Sequence, residues 1–440
     1  MEQKQNRSSF SGKLGFVLSA AGASVGLGNI WRFPYLAAKY GGGIFLLIYI
    51  VLALTFGYTM IMAETALGRM THKSPVTAYG TFAKPGKKNG FLGFGGWINA
   101  VIPVLIVPYY SVIGGWVIKY LFEYLRGNAQ GLAEDGYFSA FIADGASAEL
   151  CFLLFAFFTL GIIFAGVRNG VERVSRLMMP VLVVLSVIIA VYSVTRPGAL
   201  AGVAYFLVPN PANFSWMTVV TAMGQMFYSL SIAMGILVTF GSYMKKDVSI
   251  EESTEHVEIF DTLIAVMAGL MIIPAVFAFS GGDPDTLQAG PALMFITIPK
   301  VFASMGLGTV VGVLFFVLVL FAAVTSSIAL TESAVSTFED ELGWGRKKAT
   351  VLVGVIMVAL GTLSSLGYGP LARQRRSRWA ADTVPSKSSL SCSRASGWRR
   401  VCFGRLSGAG AHRSYRYPTR QNKTVPKRSI LFCGKIPFVA

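Results

Sequence analysis

Small and polar residues interrupt the first apolar run of the chain. Residues 19–34 read SAAGASVGLGNIWRFP and hold Gly22, Gly26 and Gly28, followed directly by Asn29. Each glycine costs a helix about 1 kcal/mol relative to alanine, so this spacing favours a break. A broken helix in a bilayer leaves backbone amides and carbonyls unpaired, and these are tolerated only around a cavity or a ligand. The stretch therefore predicts a half-helix site for an ion and a polar substrate near the membrane midplane.

Close helix packing is a second interpretation of the same residues. Small side chains let a neighbouring helix approach, as in GxxxG contacts between membrane helices. Packing explains the glycines, but it gives no role to Asn29 and Arg32. The binding-site interpretation is therefore the favoured one.

The sixth apolar run repeats this anomaly. Residues 224–235 read GQMFYSLSIAMG, with Ser229 and Ser231 among apolar neighbours. Serine can bond to its own helix backbone, so this run alone leaves both interpretations open. Corresponding interruptions five spans apart, however, indicate a transporter built from inverted repeats. In such a site a helix N-terminus faces a carboxylate, and freed carbonyls hold a cation.

Two further spans carry polar side chains suited to a small cation. The eighth contains FAAVTSSIAL, in which Thr325, Ser326 and Ser327 offer hydroxyl oxygens. Hydroxyls in a span also commonly bond to the preceding turn of their own helix. Asp261 begins the apolar part of the seventh span, where it is either solvated at the water boundary or functional in the bundle interior.

The composition is that of a polytopic helical membrane protein. Of 440 residues, 54% are hydrophobic and only 13% charged, and the mean hydropathy is +0.59. Several apolar runs reach the roughly 20 residues that a membrane-crossing helix needs. The polar N-terminus and the lack of a cleavage signature predict that the first run is a retained span. Nine spans are predicted: 13–36, 42–68, 95–124, 150–166, 174–195, 214–243, 257–280, 308–337 and 348–368.

Basic residues alternate between the loops as the positive-inside rule expects. The N-terminus and every second loop are rich in Lys and Arg, and the remaining loops are poorer in them. We therefore predict a multi-pass protein of the cell (inner or plasma) membrane with a cytoplasmic N-terminus. The apolar outer segment 281–305 is cut by three prolines and predicts a hairpin of short helices or a plain loop.

The net charge of +17 is concentrated at the C-terminal end. Residues 371–440 hold 16 Lys and Arg against one acid, which leaves 22 basic and 20 acidic residues in the first 370. Three of the four cysteines lie in this tail, without the spacing of metal ligands, and the three histidines form no catalytic group. The sequence therefore predicts no enzyme activity.

At this point the residues resemble the neurotransmitter:sodium symporter family, particularly its bacterial amino-acid transporters. The resemblance covers residues 7–370. The matching stretches are GASVGLGNIWRFP, YGGG, PYYSVIGGW, GQMFYSLS, FAAVTSSIAL and FEDELGWGRKKA. It implies an all-α polytopic membrane protein with the inverted five-helix repeat architecture of these transporters. Helices 1 and 6 would be discontinuous, and the match is truncated after about nine spans.

The resemblance implies two sodium sites. The first would be formed by Ser24, Asn29, Ser229 and Asp261. The Asn29 amide oxygen would be a ligand there, and the substrate carboxylate would complete the site. The acid at Asp261 implies that chloride is not required. The second site would be formed by Gly22, Val25, Ala322, Thr325 and Ser326.

The resemblance also implies a site for a small neutral amino acid, apolar or aromatic in its side chain. This site would be lined by Ser24, Val25, Gly26, Leu27, Gly28, Tyr110, Tyr228, Ser229, Ser231, Met234, Ser326 and Leu330. Tyr110 and Tyr228 would close it from outside, with Arg32 above them. Inside, Arg7 would pair with Asp340, braced by Phe10 and Tyr243.

Residues 371–440 depart from the family, whose members continue with three more spans, including an acid that pairs with Arg32. A disordered basic tail is one interpretation; we favour a shifted reading frame, because Arg, Ser and Cys become abundant abruptly. The sequence thus predicts a cytoplasmic segment 1–12, a membrane domain 13–370 and a disordered, non-homologous tail 371–440. Its partners would be sodium, the amino acid and the lipid bilayer, with no nucleic acid.

The expected function is sodium-coupled import of an amino acid by alternating access. A transport-dead family member, and a membrane receptor that binds without translocation, are the alternatives.

Overall fold

The computed structural model describes residues 9–82, 90–282, 287 and 290–368. The predicted tail at 371–440 and the predicted gate residue Arg7 lie outside the described residues. Among the described residues the regular structure is helical, and one isolated bridge joins Gly42 to Pro209.

The helices follow the predicted spans. Within the described residues, seven helices are long and apolar enough to cross a membrane: α3 (Gly43–Thr71), α5 (Gly93–Leu125), α8 (Gly145–Phe164), α9 (Val167–Val194), α13 (Ile250–Ser280), α15 (Gly308–Leu342) and α16 (Arg346–Tyr368). The first predicted span is a bent pair, α1 (Lys13–Ser24) and α2 (Gly28–Lys39). The sixth consists of α11 (Trp216–Ser229) and α12 (Ile236–Ser242). The all-α fold with discontinuous helices 1 and 6 is confirmed.

Short helices connect the spans: α4 (Pro75–Gly80), α6 (Ala129–Ala133), α7 (Tyr137–Ala143), α10 (Ala199–Leu207) and α14 (Leu293–Ala303). The segment predicted as a hairpin or a loop thus contains one short apolar helix, α14, in its described part. Tyr120 fastens α14 to the bundle, because its hydroxyl donates to the Phe295 carbonyl at 2.8 Å. Trp116, Tyr120 and Phe316 also pack against the Phe295 ring.

Local caps explain several of the helix ends. A capping box begins α11. The Ser215 hydroxyl accepts from the Thr218 amide at 3.1 Å, and the Thr218 hydroxyl accepts from the Ser215 amide. Asp144 begins α8 by accepting from the Ala146 amide at 3.2 Å. The hydrogen bond from the Ser147 hydroxyl lowers the pKa of Asp144.

Helices α1 and α12, one from each broken span, lie inside the bundle. Helix α1 packs against α9, α13 and α15, while α11 and α12 pack along α3. Ten of the twelve residues of α1 are buried, as are all seven of α12. Since α1 and α12 are enclosed in this way, a polar group where either helix ends needs a partner within the protein.

Candidate functional site

The first break spans three residues between α1 and α2. Val25 is extended, with φ −73° and ψ 93°, and the two helices meet at 50°. Side chains satisfy the freed backbone groups. The Gly26 amide donates to Asn29 Oδ1 at 3.2 Å, and the Leu27 amide donates to the Tyr110 hydroxyl at 3.3 Å. The interruption predicted from the glycines and Asn29 is therefore a true break.

The glycines of this break allow close approach by two neighbouring side chains. A Cβ at Gly26 would lie 2.6 Å from Ser326 Oγ, and a Cβ at Gly28 would lie 2.5 Å from Tyr228 Cε1. Carbon atoms normally stay about 3.5–4.0 Å apart. A side chain at either position would force the neighbouring residue to move, so tight packing and a binding site are compatible interpretations of these residues.

The second break lies between α11 and α12. Ser231 and Ala233 adopt positive φ angles of 55° and 59°, a conformation that costs a non-glycine residue about 1–3 kcal/mol. Two buried side chains outside the break hold it. The Ala233 amide donates to Glu64 Oε1 at 2.8 Å, and the Gly235 amide donates to Asn99 Oδ1 at 3.2 Å.

Sequence reasoning missed Glu64 and Asn99. An acid within an apolar span was the available signal for Glu64, because such residues are rare and face the bundle interior. Nothing in the sequence ties Asn99 to a residue 136 positions further along the chain.

Both breaks meet at Asp261, which is fully buried. Ser229 Oγ lies 2.9 Å from each of its carboxylate oxygens, and Asn29 Nδ2 donates to Oδ1 at 2.8 Å. The Tyr49 hydroxyl donates to Oδ2 at 3.0 Å, a partner that the sequence did not predict. Asp261 is thus an interior residue and does not lie at the water boundary.

Three of the four residues predicted for the first sodium site are in direct contact. Asn29 presents its amide nitrogen to Asp261 and its oxygen to Gly26, whereas the prediction has the oxygen as a sodium ligand. Rotating the amide by a half-turn exchanges the two atoms. The fourth residue, Ser24, lines the adjoining cavity, and its hydroxyl donates to the Ala20 carbonyl at 3.2 Å.

The residues predicted for the second sodium site lie between α1 and α15. A Cβ at Gly22 would lie 3.2 Å from Thr325 Cβ, so the two helices touch there. Ser326 Oγ lies 3.4 Å from the Gly22 carbonyl and 3.5 Å from the Val25 carbonyl. Thr325 donates to the Phe321 carbonyl at 3.0 Å and to the Ala322 carbonyl at 3.2 Å, as hydroxyls in helices commonly do.

A cavity opens between the two breaks. Its walls carry hydroxyls, backbone groups and apolar side chains, and none of the lining residues is charged. They are Ala23, Ser24, Gly26, Leu27, Gly28, Asn29, Ile106, Tyr110, Tyr228, Ser229, Ser231, Met234, Ile236, Ser326 and Leu330.

Eleven of the twelve residues predicted to bind substrate line this cavity. The exception is Val25, which is fully buried outside the lining. Ile106 and Ile236 were missed, because an isoleucine in a span gives no signal that distinguishes a cavity wall from lipid or core.

At one end of the cavity, an arginine side chain lies over a tyrosine ring. The Arg32 guanidinium lies 5.0 Å from the centre of the Tyr228 ring, and Tyr228 in turn packs on Gly28. Gln225 braces this end, since its Nε2 donates to the Gly28 carbonyl at 3.1 Å. Arg32 and one of the two predicted gate tyrosines, Tyr228, therefore lie together.

The opposite end of the bundle holds a buried ion pair that the sequence did not predict. Arg346 Nη2 lies 2.5 Å from Glu332 Oε2, and Glu332 is fully buried. The Tyr243 hydroxyl donates to Glu332 Oε1 at 2.8 Å. The Phe10 amide donates to the Tyr243 carbonyl at 3.1 Å, and the two rings pack edge to face.

Arg7, the predicted partner of Asp340, lies outside the described residues. Asp340 Oδ2 accepts from the Ser74 amide at 2.5 Å. Asp340 therefore anchors the start of α4 to the end of α15.

Comparisons with known proteins agree with this architecture. The model of the sodium:neurotransmitter symporter family matches residues 7–130 and 141–369. The chain is 34% identical over 366 residues to the uncharacterized sodium-dependent transporter YhdH of Bacillus subtilis, a match that covers 82% of this chain and 79% of the relative. It is 27% identical over 429 residues to the human sodium- and chloride-dependent GABA transporter 2, covering 82% and 69%. The crystal structure of MhsT in complex with L-phenylalanine is similar with a TM-score of 0.75 and 36% identity, covering 88% of this chain and 84% of MhsT.

Proposed function

Because the chain belongs to the sodium:neurotransmitter symporter family of transporters, we propose that it imports a neutral apolar or aromatic amino acid together with two sodium ions. The family is one of sodium-dependent symporters and not of enzymes, and the apolar helices make this chain a multi-pass membrane protein. The observation that carries the proposal is the uncharged cavity between the two broken helices, with a buried carboxylate beside it.

The amino-acid substrate lies in this cavity with its charged ends at the breaks. The amides of Leu27 and Gly28, at the start of α2, and the Tyr110 hydroxyl hold the α-carboxylate. The carbonyls of Tyr228 and Ser229 accept from the α-ammonium, together with the Ser24 carbonyl and the Ser231 hydroxyl.

The substrate side chain points toward the apolar wall. Met234 and Leu330 lie in that wall beside Tyr110 and Tyr228, and no charged residue lines it. An uncharged wall favours an uncharged side chain, since a buried charge without a partner is costly. The similarity to MhsT, whose structure holds L-phenylalanine, supports an aromatic or apolar side chain.

The first sodium ion binds beside Asp261, with Asn29, Ser229, the Ser24 carbonyl and the substrate carboxylate as the other ligands. A turn of the Asn29 amide supplies its oxygen. Asp261 supplies the negative charge at this position, so transport needs no chloride. Since the α-carboxylate is one of the ligands, ion and substrate bind more tightly together than apart.

The second sodium ion binds where α1 touches α15. The carbonyls of Gly22, Val25 and Ala322 and the hydroxyls of Thr325 and Ser326 form an all-oxygen set, which suits a hard monovalent cation. Because this set joins two helices, the ion stabilises the arrangement in which α1 and α15 are packed together.

Alternating access follows from two covers at opposite ends of the cavity. Tyr110, Tyr228 and Arg32 close the outer end. The inner end carries Phe10, Tyr243 and Asp340, and the N-terminus lies in the cytoplasm of a cell-membrane protein. Sodium drives transport only if it binds one of the two states more tightly than the other.

Uptake by the purified chain tests this proposal. Proteoliposomes that contain the chain should accumulate radiolabelled L-phenylalanine or L-leucine under an inward sodium gradient, with gluconate as effective an anion as chloride. Choline in place of sodium, or Asp261→Asn, should abolish accumulation. Glu255→Gln on the exposed side of α13 is the matched control and should leave it unchanged.

The outcomes separate the alternatives. Sodium-dependent binding without accumulation would identify a receptor or a transport-dead chain and would refute symport. Equal accumulation with sodium and with choline would refute sodium coupling.

A further inference from the structure

An open apolar groove runs between α8 and α16 on the outside of the bundle. Its α8 wall is formed by Phe157, Leu160, Gly161 and Phe164, and its α16 wall is formed by residues between 350 and 359. No atom lies within 4 Å of a Cβ built at Gly161, so the groove is open at that point. The groove is separate from the proposed substrate cavity, because the two share no lining residue.

Burial distinguishes the floor of this groove from its rims. Leu160 is 7% exposed and Thr350 is fully buried, so these two side chains form the floor. A Cβ at Gly354 would lie 3.1 Å from Leu160 Cδ1, so the two helices are closely packed there. Phe157 and Val355 are 62% and 61% exposed and form the rims. In a bilayer, such a groove must be filled by an apolar group.

The length of the groove indicates which apolar group fills it. Residues 350–359 of α16 rise about 14 Å, at about 1.5 Å per residue. The hydrocarbon core of a bilayer is about 30 Å thick, so the groove is as long as one leaflet is deep. A lipid acyl chain extends through one leaflet, whereas a membrane helix of a partner protein crosses both. The groove therefore fits an acyl chain better than a helix.

Two lysines stand at the end of the groove where α16 begins. Lys347 lies three residues before Thr350 and four before Val351, and Lys348 lies three residues before Val351. Residues three and four apart are neighbours on a helix surface, so both lysines lie on the groove side of α16. Both are exposed, and neither forms an ion pair with an acid of the described residues.

The same end of the groove lies at the level of the membrane surface. The Arg346 guanidinium donates to the Ile163 carbonyl at 2.9 and 3.1 Å, so the end of α8 lies against the start of α16. Arg168 follows five residues after Ile163 and is also exposed. Trp344 precedes the two lysines and is 39% exposed, as is typical of tryptophan at a membrane–water interface. Positive charge is therefore concentrated where a lipid headgroup would lie.

We propose that this groove binds an anionic phospholipid, with an acyl chain between α8 and α16 and the phosphate at Lys347 and Lys348. Lysine suits this position because its stem covers apolar surface while its ammonium reaches the headgroup. Each basic residue near an anionic headgroup increases affinity about fivefold. A zwitterionic phospholipid therefore binds more weakly. The proposal concerns a surface outside the transport site and does not depend on which substrate the chain carries.

Native mass spectrometry of the full chain in detergent tests the preference for negative charge. The wild type should bind dioleoylphosphatidylglycerol at least tenfold more tightly than dioleoylphosphatidylcholine. The double variant Lys347→Gln, Lys348→Gln should bind phosphatidylglycerol about 30-fold more weakly and phosphatidylcholine as the wild type does. The matched control Lys73→Gln, Lys246→Gln removes two exposed charges from other parts of the chain and should bind both lipids like the wild type.

Gly161→Leu tests the groove itself. The added side chain would occupy the open space, and leucine favours a helix over glycine, so α8 should still form. Both lipids should bind at least tenfold more weakly. Gly224→Leu is the matched control, because a Cβ built at Gly224 also has no atom within 4 Å, and it should leave lipid binding unchanged.

Three results would overturn the proposal. The first is equal affinity of the wild type for the two lipids. The second is unchanged phosphatidylglycerol binding in the lysine double variant or in Gly161→Leu. The third is a wild-type dimer that Gly161→Leu abolishes, which would show that a second copy of the chain occupies the groove.

Discussion

Substituting Gly28 by alanine tests the close packing that closes the cavity. A Cβ at this position would lie 2.5 Å from Tyr228 Cε1 and 2.7 Å from its Cδ1. Since carbon atoms in contact stay about 3.5–4.0 Å apart, the ring must move by roughly 1 Å. Tyr228 lines the cavity and lies under Arg32, so this movement displaces the cover from the substrate site.

The expected effect of Gly28→Ala is a loss of substrate affinity. Overpacking of a well-packed site costs about 1–3 kcal/mol. If this cost falls on the substrate-bound state, the Kd for L-phenylalanine rises by about 5- to 150-fold. Isothermal titration calorimetry of the purified chain in saturating sodium measures this change directly.

Gly224→Ala is the matched control on the neighbouring helix. No atom lies within 4 Å of a Cβ built at Gly224, so this substitution has room. Alanine also stabilises a helix relative to glycine by about 1 kcal/mol. The Kd of the Gly224→Ala variant for L-phenylalanine should equal that of the wild type. A Gly28→Ala variant that binds within twofold of the wild type, or a Gly224→Ala variant that loses as much affinity, would refute the packing argument.

Three further substitutions test the partners of the buried polar groups. Glu64→Ala removes the acceptor of the Ala233 amide and should lower the free energy of unfolding by about 1–3 kcal/mol, whereas Glu64→Gln keeps an acceptor and should lower it less. Chemical denaturation of both variants checks this, and equal losses would contradict it. Tyr49→Phe removes one of the two hydrogen bonds to Asp261 Oδ2, leaving only that from Ser229 Oγ, and should cost about 1.5–3 kcal/mol without sodium. That loss should be smaller in saturating sodium, because the cation compensates the carboxylate. Melting curves recorded without sodium and in saturating sodium measure both losses, and equal losses would contradict this prediction. Arg346→Ala leaves Glu332 buried and unpaired and should cost about 3–5 kcal/mol, so a variant that unfolds like the wild type would show that the ion pair has no structural role.

The sequence predicts the two breaks because their cause is local. Gly22, Gly26 and Gly28 weaken one helix, and a helix that is weakened in hydrocarbon must lie around a cavity or a ligand. The residues that line the cavity were implied by the family resemblance and not by the glycines, because most of them lie on other helices. The sequence left open whether Asp261 lies at the water boundary or in the bundle interior. Its contacts with Asn29 and Ser229 show that it lies in the interior.

The partners of these groups could not be predicted, because they depend on how distant helices pack. Tyr49 lies 212 residues from Asp261, and Glu64 lies 169 residues from Ala233. No spacing rule links such positions. Thr325 was a different case, because its residue type allowed both a sodium ligand and a bond to the preceding turn, and the structure shows that bond.

The central claim is that both broken helices form one pocket shared by sodium and substrate. The most direct test is whether each ligand raises the affinity of the protein for the other. The Kd of L-phenylalanine is measured by calorimetry without sodium and in saturating sodium, and the sodium concentration for half-saturation of the first site is measured with and without L-phenylalanine. A shared site requires that each ligand increase the affinity of the other by the same factor. We predict an equal factor of at least about ten, which corresponds to about 1.4 kcal/mol of coupling. A factor of one, with sodium and amino acid binding independently, would contradict the account.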